Sequence, residues 1–264
     1  VDVLAPDYLN KGFVDWLSKL GRPLFKRFIA DPSSADGIFS DYDMPNKAVR
    51  HVAQDPGLRT GLWRSVGHSS NAFFKESFID ELAQRAGIDE LQFRLANMKN
   101  NPRLTEATEL VAAKAGWGKA LPGGHFHGLA THSSFGSAVA QIAEVSVEGT
   151  KIVVHKVTAA IHCGLVVNPG IVRDAVEGGI IFGLTAALHG EITLVDGVIQ
   201  QSNFHSYPML RMADAPKVEV HVVESQEHPE GVGEPGLPPL APAVANAVFK
   251  ASGQRLRDLP LRLS

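Results

Sequence analysis

The chain has 264 residues, 44% hydrophobic and 20% charged, with a formal net charge of −3. This is a globular composition with enough apolar material for a sizeable core, and the mild acidity argues against a dedicated nucleic-acid surface. The single cysteine, Cys163, excludes an internal disulfide and any iron–sulfur or zinc cluster held by this chain's cysteines.

The chain starts at Val1, and no charged segment followed by an apolar stretch marks a signal peptide. It therefore reads as part of a longer or processed protein. Tyr8 to Leu20 has the spacing of a short amphipathic helix, followed by loop-like stretches at 31–37 and 41–46. A short strand is expected from Leu62 to Ser65, and a polar turn from Gly67 to Asn71. Phe73 to Ala86 has helical periodicity, with Phe74, Phe78, Ile79 and Leu82 expected on one face and Gly87 as the cap. Further helices are expected at Asp89 to Met98 and at Leu104 to Ala115, the latter closed by Gly116.

Residues 117–125 read as a connection. Strands then follow at Gly128 to Ser133, Ala138 to Val147 and Lys151 to Ile161, with Gly149 in the last turn. Asn168-Pro169 opens a glycine-rich helix to Leu188 that reads as buried; its apolar run is too short to span a bilayer. Asp196-Gly197 signals a hairpin. Lys217 to Glu224 alternates as a strand, and Ala241 to Ala251 is a final helix capped by Gly253. The class is α+β, with a helix-rich part over 1–125 and a mixed part over 126–264.

Five groups of residues invite a chemical reading. His125, His127 and His132 suggest a metal, but no HExxH and no acid or cysteine at ligand spacing accompanies them. Cys163 ends an apolar strand, the setting of an inert buried thiol. Arg64, followed by Ser65, Val66, Gly67 and His68, joins a cation to small residues with free amides; this suits an anionic group, or equally a surface turn. Ser134, Phe135, Gly136 and Ser137 form a second small-residue turn. Last, Glu234 stands alone within Gly231-Val232-Gly233-Glu234-Pro235-Gly236, followed by further prolines. Such a stiff, side-chain-poor loop suits a general base facing a bulky cofactor, or else is an ordinary turn with a solvated acid.

Taken in order, Trp63 to Phe73, Ser134 to Ser137, Cys163-Gly164 with Asn168-Pro169, Val176 to Gly179, Gln201 to Phe204 and Gly231 to Gly236 resemble one family. It is the molybdenum-binding subunit of the xanthine oxidase family, in the branch of isoquinoline 1-oxidoreductase beta subunits and related bacterial aldehyde dehydrogenases. The resemblance runs from about residue 60 to the C-terminus. It implies a hydroxylase of aldehydes or N-heteroaromatic compounds that draws its oxygen from water. The implied cofactor is molybdopterin cytosine dinucleotide, its molybdenum held by the pterin and not by protein side chains.

The resemblance further implies Glu234 as general base. Arg64, Ser65, Gly67, His68 and Gly233 would hold the cofactor, with Ser134, Phe135, Gly136 and Ser137 approaching the pterin. Val66 falls where many relatives place an aromatic residue against a flat substrate. Ala175 replaces a glutamine that touches the cofactor in relatives. The N-terminal half of the usual subunit, which carries a glycine-rich stretch facing the molybdenum in relatives, has no counterpart here. A partner chain or segment carrying that half is therefore expected, with iron–sulfur clusters in a separate subunit. The alternative is a non-catalytic assembly or binding fragment. Relatives of this branch are often exported, which favours the periplasm.

Overall fold

Strands between 125 and 162 supply the scaffold on which the rest is packed. In the computed structural model, which describes residues 32–38, 41–52 and 61–264, β1 (His125–Ser134), β2 (Ser137–Glu148) and β3 (Lys151–His162) form an antiparallel meander. Phe135 and Gly136 turn the chain between β1 and β2, and Gly149 serves between β2 and β3, all three at positive φ. A later strand, β6 (Lys217–Val222), adds to β3 in parallel with Lys156 opposite Lys217, giving the order β1-β2-β3-β6. β4 (Leu194–Val195) and β5 (Val198–Ile199) form a separate hairpin whose turn residues, Asp196 and Gly197, both have positive φ.

β2 is buried along nearly its whole length, because helices cover both faces of the sheet. This is why the strand reads as a near-continuous run of small apolar residues. On one face Ala130, Val139, Ala143 and Val145 meet α4 (Pro169–Leu188) and α5 (Leu240–Ser252) through Val176, Ile180, Val244 and Val248. On the other, Leu129, Ala140, Ile142 and Ala160 meet Ala107 and Val111 of α3 (Pro102–Ala115). α1 (Gly67–Ala86) and α2 (Glu90–Ala96) pack around the end of this assembly.

Local signals set most boundaries. Asp89 caps α2 by accepting from the amides of Leu91 and Gln92. Asn101 caps α3, and Asn168 with Pro169 opens α4. Gly87, Gly116 and Gly253 end their helices in the left-handed conformation. No described helix is long and apolar enough to cross a membrane.

The structure corrects four expectations. Leu62 to Ser65 is not a strand; the chain there is irregular and turns at 64–66. Gly67 to Asn71 is not a turn but the first part of α1. Its polar side chains find partners within a helix: the Ser69 hydroxyl donates to Arg64 O, and Asn71 donates to the carbonyls of Ser34 and Asp36. These tertiary contacts outweigh weak helix propensity. Phe74 and Phe78 do not face the core and are 51% and 56% exposed. The buried face instead carries Asn71, Ala72, Phe73, Lys75, Glu76, Ile79, Asp80 and Ala83, so half of it is polar and invisible to an apolar-periodicity reading. Finally, α4 is buried on one face only, leaving Ile171 and Phe182 exposed. The expected helix at Tyr8 to Leu20 lies outside the described residues.

The polar half of the α1 face is neutralised internally. Glu76 accepts from Arg94 Nε at 3.0 Å, from Tyr42 Oη at 2.8 Å and from the amide of Thr131 at 3.0 Å. Asp80 pairs with Arg255 at 2.7 Å and lies 3.7 Å from Arg94. Both Glu76 and Arg94 are fully buried, a setting in which removing one partner costs about 3–5 kcal/mol.

A close approach between helix and strand backbones occurs at Gly128. A Cβ there would lie 2.1 Å from Ala243 O and 2.3 Å from Ala247 N of α5. Gly128→Ala is expected to destabilise the fold by about 1–3 kcal/mol, as for other overpacked cores. A denaturant midpoint unchanged from the parent would contradict this packing.

Candidate active site

Three loops converge at the start of α1. The first is the segment 64–67, in which Ser65 (φ 72°) and Val66 (φ 47°) adopt positive φ. For a β-branched residue this is a true outlier. Among the described residues only four non-glycine positions have positive φ: Ser65, Val66, Phe135 and Asp196. Three of them lie in these converging loops. Strain of about 1–3 kcal/mol per residue persists where the surroundings hold the backbone in place, which is common at functional sites.

The second loop carries Glu234, and the first clasps it. Arg64 Nε donates to Gly233 O at 2.8 Å, and Nη2 reaches both that carbonyl and Ala175 O, the latter at 3.3 Å. Ser65 Oγ donates to Glu234 O at 2.9 Å, and the Ser65 amide donates to Glu234 Oε2 at 3.2 Å. One carboxylate oxygen of the half-buried Glu234 is thus fixed. Among the described residues no hydrogen bond reaches the other. Arg64 serves here as a bracket for the loop, and Ala175 contributes through its carbonyl rather than its side chain.

The third loop is 134–137. The Gly231 amide donates to Phe135 O at 3.1 Å, and Ser137 Oγ donates to Gly231 O at 2.7 Å. Gly136 turns at φ 79°, a conformation that favours glycine, with the Glu230 carboxylate beside it. The Phe135 ring lies 5.1 Å from the His68 ring. From below, Gln141 Nε2 donates to Gly236 O at 2.6 Å. Cys163 sits beside this loop only as backbone, its carbonyl accepting from Glu230 N, while burial pushes its thiol up. It is not a poised nucleophile.

All the residues expected to form the site are therefore brought together: Arg64 to His68, Ser134 to Ser137, and Gly233 with Glu234. Sequence reading missed Lys75 and Asp41. His68 Nδ1 lies 2.9 Å from His132 Nε2, His132 Nδ1 lies 3.1 Å from Lys75 Nζ, and Lys75 pairs with Asp41 at 2.5 Å. Burial, with Lys75 beside it, holds His132 well below the usual histidine range, and burial also lowers His68. The other two histidines considered for a metal, His125 and His127, lie on β1. His125 donates or accepts at Glu144 across 2.7 Å and stacks on His155 at 4.0 Å. Among the described residues no group of three or more histidine, cysteine or acidic side chains is arranged to hold a metal ion.

These loops fit a large anionic cofactor in three respects. No side chain caps the first turn of α1 and no acidic residue lies in it; the His68 amide donates to Ser65 O at 3.0 Å, and the other opening amides suit an anion. Ser134 Oγ is buried without a protein partner. Space is open where a side chain at Gly233 would project.

Comparison with known proteins agrees. A family model described as a molybdopterin cofactor-binding domain matches residues 74–216. The beta subunit of isoquinoline 1-oxidoreductase from Brevundimonas diminuta is 34% identical over 253 residues, covering 94% of this chain and 32% of that protein. A nicotinate dehydrogenase subunit from Pseudomonas putida is 31% identical, covering 83% of this chain and 20% of that one. This chain thus spans a third or less of the length of these relatives. The crystal structure of the aldehyde oxidoreductase from Desulfovibrio desulfuricans superimposes with a TM-score of 0.65 at 14% identity, over 75% of this chain and 40% of that one, a likeness of fold.

Two outcomes test the geometry. Arg64→Lys keeps the charge but loses the forked grip on the Gly233 and Ala175 carbonyls. Loss of about one hydrogen bond's worth of restraint should speed amide exchange at Gly231 and Leu237 by about tenfold. Exchange at the parental rate would show that the clasp does not hold the loop.

The second outcome concerns acid. His132 is lowered when folded, so below its ordinary value of 6.5 the unfolded chain binds a proton that the folded chain refuses. Stability is then full above that value and falls as pH drops through it. His132→Gln should flatten this acid limb in denaturant titrations at a series of pH values.

Proposed function

The chain belongs to the molybdopterin cofactor-binding domain family, and from this premise we propose that it forms the C-terminal part of the cofactor-binding subunit of a molybdenum hydroxylase. The substrate class is an aldehyde or an N-heteroaromatic compound, and the inserted oxygen comes from water. Two relatives named for N-heteroaromatic compounds support the reading, isoquinoline 1-oxidoreductase and nicotinate dehydrogenase. The observation that carries it is the clasp of Arg64 and Ser65 on the Glu234 loop.

When bound, a molybdenum cofactor in its cytosine dinucleotide form supplies the two-electron redox chemistry and the activation of water. What this chain supplies is position and a base. Glu234 takes a proton at the carboxylate oxygen that Ser65 leaves free. The fixed Oε2 holds the side chain against rotation, so the group need not be ordered at the moment of proton transfer. The amides that open α1 and the Ser134 hydroxyl bind the anionic part of the cofactor. Val66 lines the substrate side; with no aromatic face there, it leaves room but offers no stacking surface.

The remainder of the site comes from a partner chain or from a further segment carrying the N-terminal half of the subunit. Electrons leave through a separate iron–sulfur subunit, because Cys163 is this chain's only cysteine. For the assembled enzyme the periplasm is slightly favoured over the cytoplasm.

Glu234→Gln in the assembled enzyme retains an acceptor for the Ser65 amide but removes the base. Its kcat should fall by about 10²–10⁴ while molybdenum per protein, measured by elemental analysis, stays at the parental level. Parental turnover in that variant would exclude Glu234 as the base. Molybdenum lost together with activity would instead make the loop a binding element.

A further inference from the structure

Behind the Glu234 loop, the chain of contacts from Asp41 through Lys75 and His132 to His68 has no role in the proposed chemistry. It is enclosed. His132 is fully buried on β1 and Lys75 is 7% exposed on α1. Gly37 closes it from outside: a Cβ there would lie 2.5 Å from His68 Nδ1 and 2.6 Å from His132 Nε2.

The polarity of this chain is forced. An ammonium group has three donors and no acceptor, so at 3.1 Å Lys75 Nζ can only donate to His132 Nδ1. Its pairing with Asp41 orients the group. A neutral imidazole that accepts at Nδ1 carries its proton on Nε2. His132 Nε2 therefore donates to His68 Nδ1 at 2.9 Å. His68 in turn must carry its proton on Nε2, and among the described residues no acceptor meets that N–H. Burial keeps both rings neutral, in agreement with this order.

His68 sits at the second position of α1, three residues from Ser65, with its ring against Phe135. We propose that Lys75 and His132 are positioning residues that lock His68 as the Nε2–H tautomer, making it a neutral hydrogen-bond donor to an acceptor oxygen of the molecule held beside Glu234. The tautomer stands on the contacts alone. The donor role rests on the function proposed above, and the oxygen belongs to the cofactor or to the substrate.

The tautomer is read by NMR of protein labelled with ¹⁵N-histidine, the His68 signals being assigned by their absence in His68→Gln. The expected pattern at neutral pH is a bare Nδ1 and a protonated Nε2. Lys75→Met should yield a mixture of tautomers, and Lys75→Arg should restore the single form. A protonated Nδ1 in the parent overturns the proposal, as does an unchanged single tautomer in Lys75→Met. Should Lys75→Met not fold, the parent spectrum alone decides.

The donor role is read in His68→Leu against His68→Gln, whose amide replaces the Nε2 donor. About a tenfold loss of molybdenum content in the leucine variant only, the size of one hydrogen bond, identifies a cofactor oxygen. A similar rise in KM at parental molybdenum content identifies a substrate oxygen. Parental values of both in His68→Leu overturn the donor role. A parent protein that takes up no molybdenum at all would overturn the functional reading instead, leaving the tautomer measurement valid.

Discussion

The buried carboxylate of Glu76 is the tie on which the placement of the site depends. It reaches Arg94 of α2, Tyr42 of the preceding loop and the Thr131 amide of β1 from a position in the middle of α1. A fully buried charge is tolerated only with its lone pairs satisfied, and here each oxygen is. Because α1 is a rigid rod, fixing its middle also fixes its first turn. That turn is where Ser65 and His68 meet the Glu234 and Phe135 loops. The neighbouring acid, Asp80, is raised by its own desolvation, with Arg94 and Arg255 opposing that rise. The pair of acids thus makes α1 an anchored element, whereas an apolar helix face would leave its rotation and sliding less defined.

Much of the fold was legible because it is written locally. Asn168-Pro169, Asp89, Gly116 and Gly253 each act within one turn of a helix, and Asp196-Gly197 within one hairpin. The strands of the meander were visible to within a few residues. What escaped was long-range. Phe74 and Phe78 match a helical apolar face, but the sheet meets the neighbouring polar face, and only Arg94, Tyr42 and Arg255 explain why. The segment at 67–71 looks like a turn until Ser34 and Asp36 present their carbonyls to Asn71.

The site was legible in a similar, uneven way. Glu234 stood out because glycine and proline isolate it, and Arg64 stood out against small neighbours. The clasp between their loops, Arg64 on Gly233 and Ser65 on Glu234, joins residues 169 positions apart and has no sequence signature. Lys75 is an ordinary lysine at a helical position, and His132 was visible only as one more histidine in a strand. Their meaning depends on α1 lying against β1. Arg64 shows the converse: its residue type was informative, while the carbonyls it grips were not predictable.

The clasp has a consequence for how the protein is made. Ser65 can meet Glu234 only after the intervening chain has been synthesised, which at about 5–20 residues per second takes roughly ten to thirty seconds. The meander and the helices up to α4 are synthesised before the Glu234 loop emerges, whereas α5 follows it. The strained backbone at Ser65 and Val66 therefore has no partner to hold it until late in biogenesis. Loop-closure entropy delays the pairing further. The pocket therefore matures late, together with the face of the sheet that α5 covers.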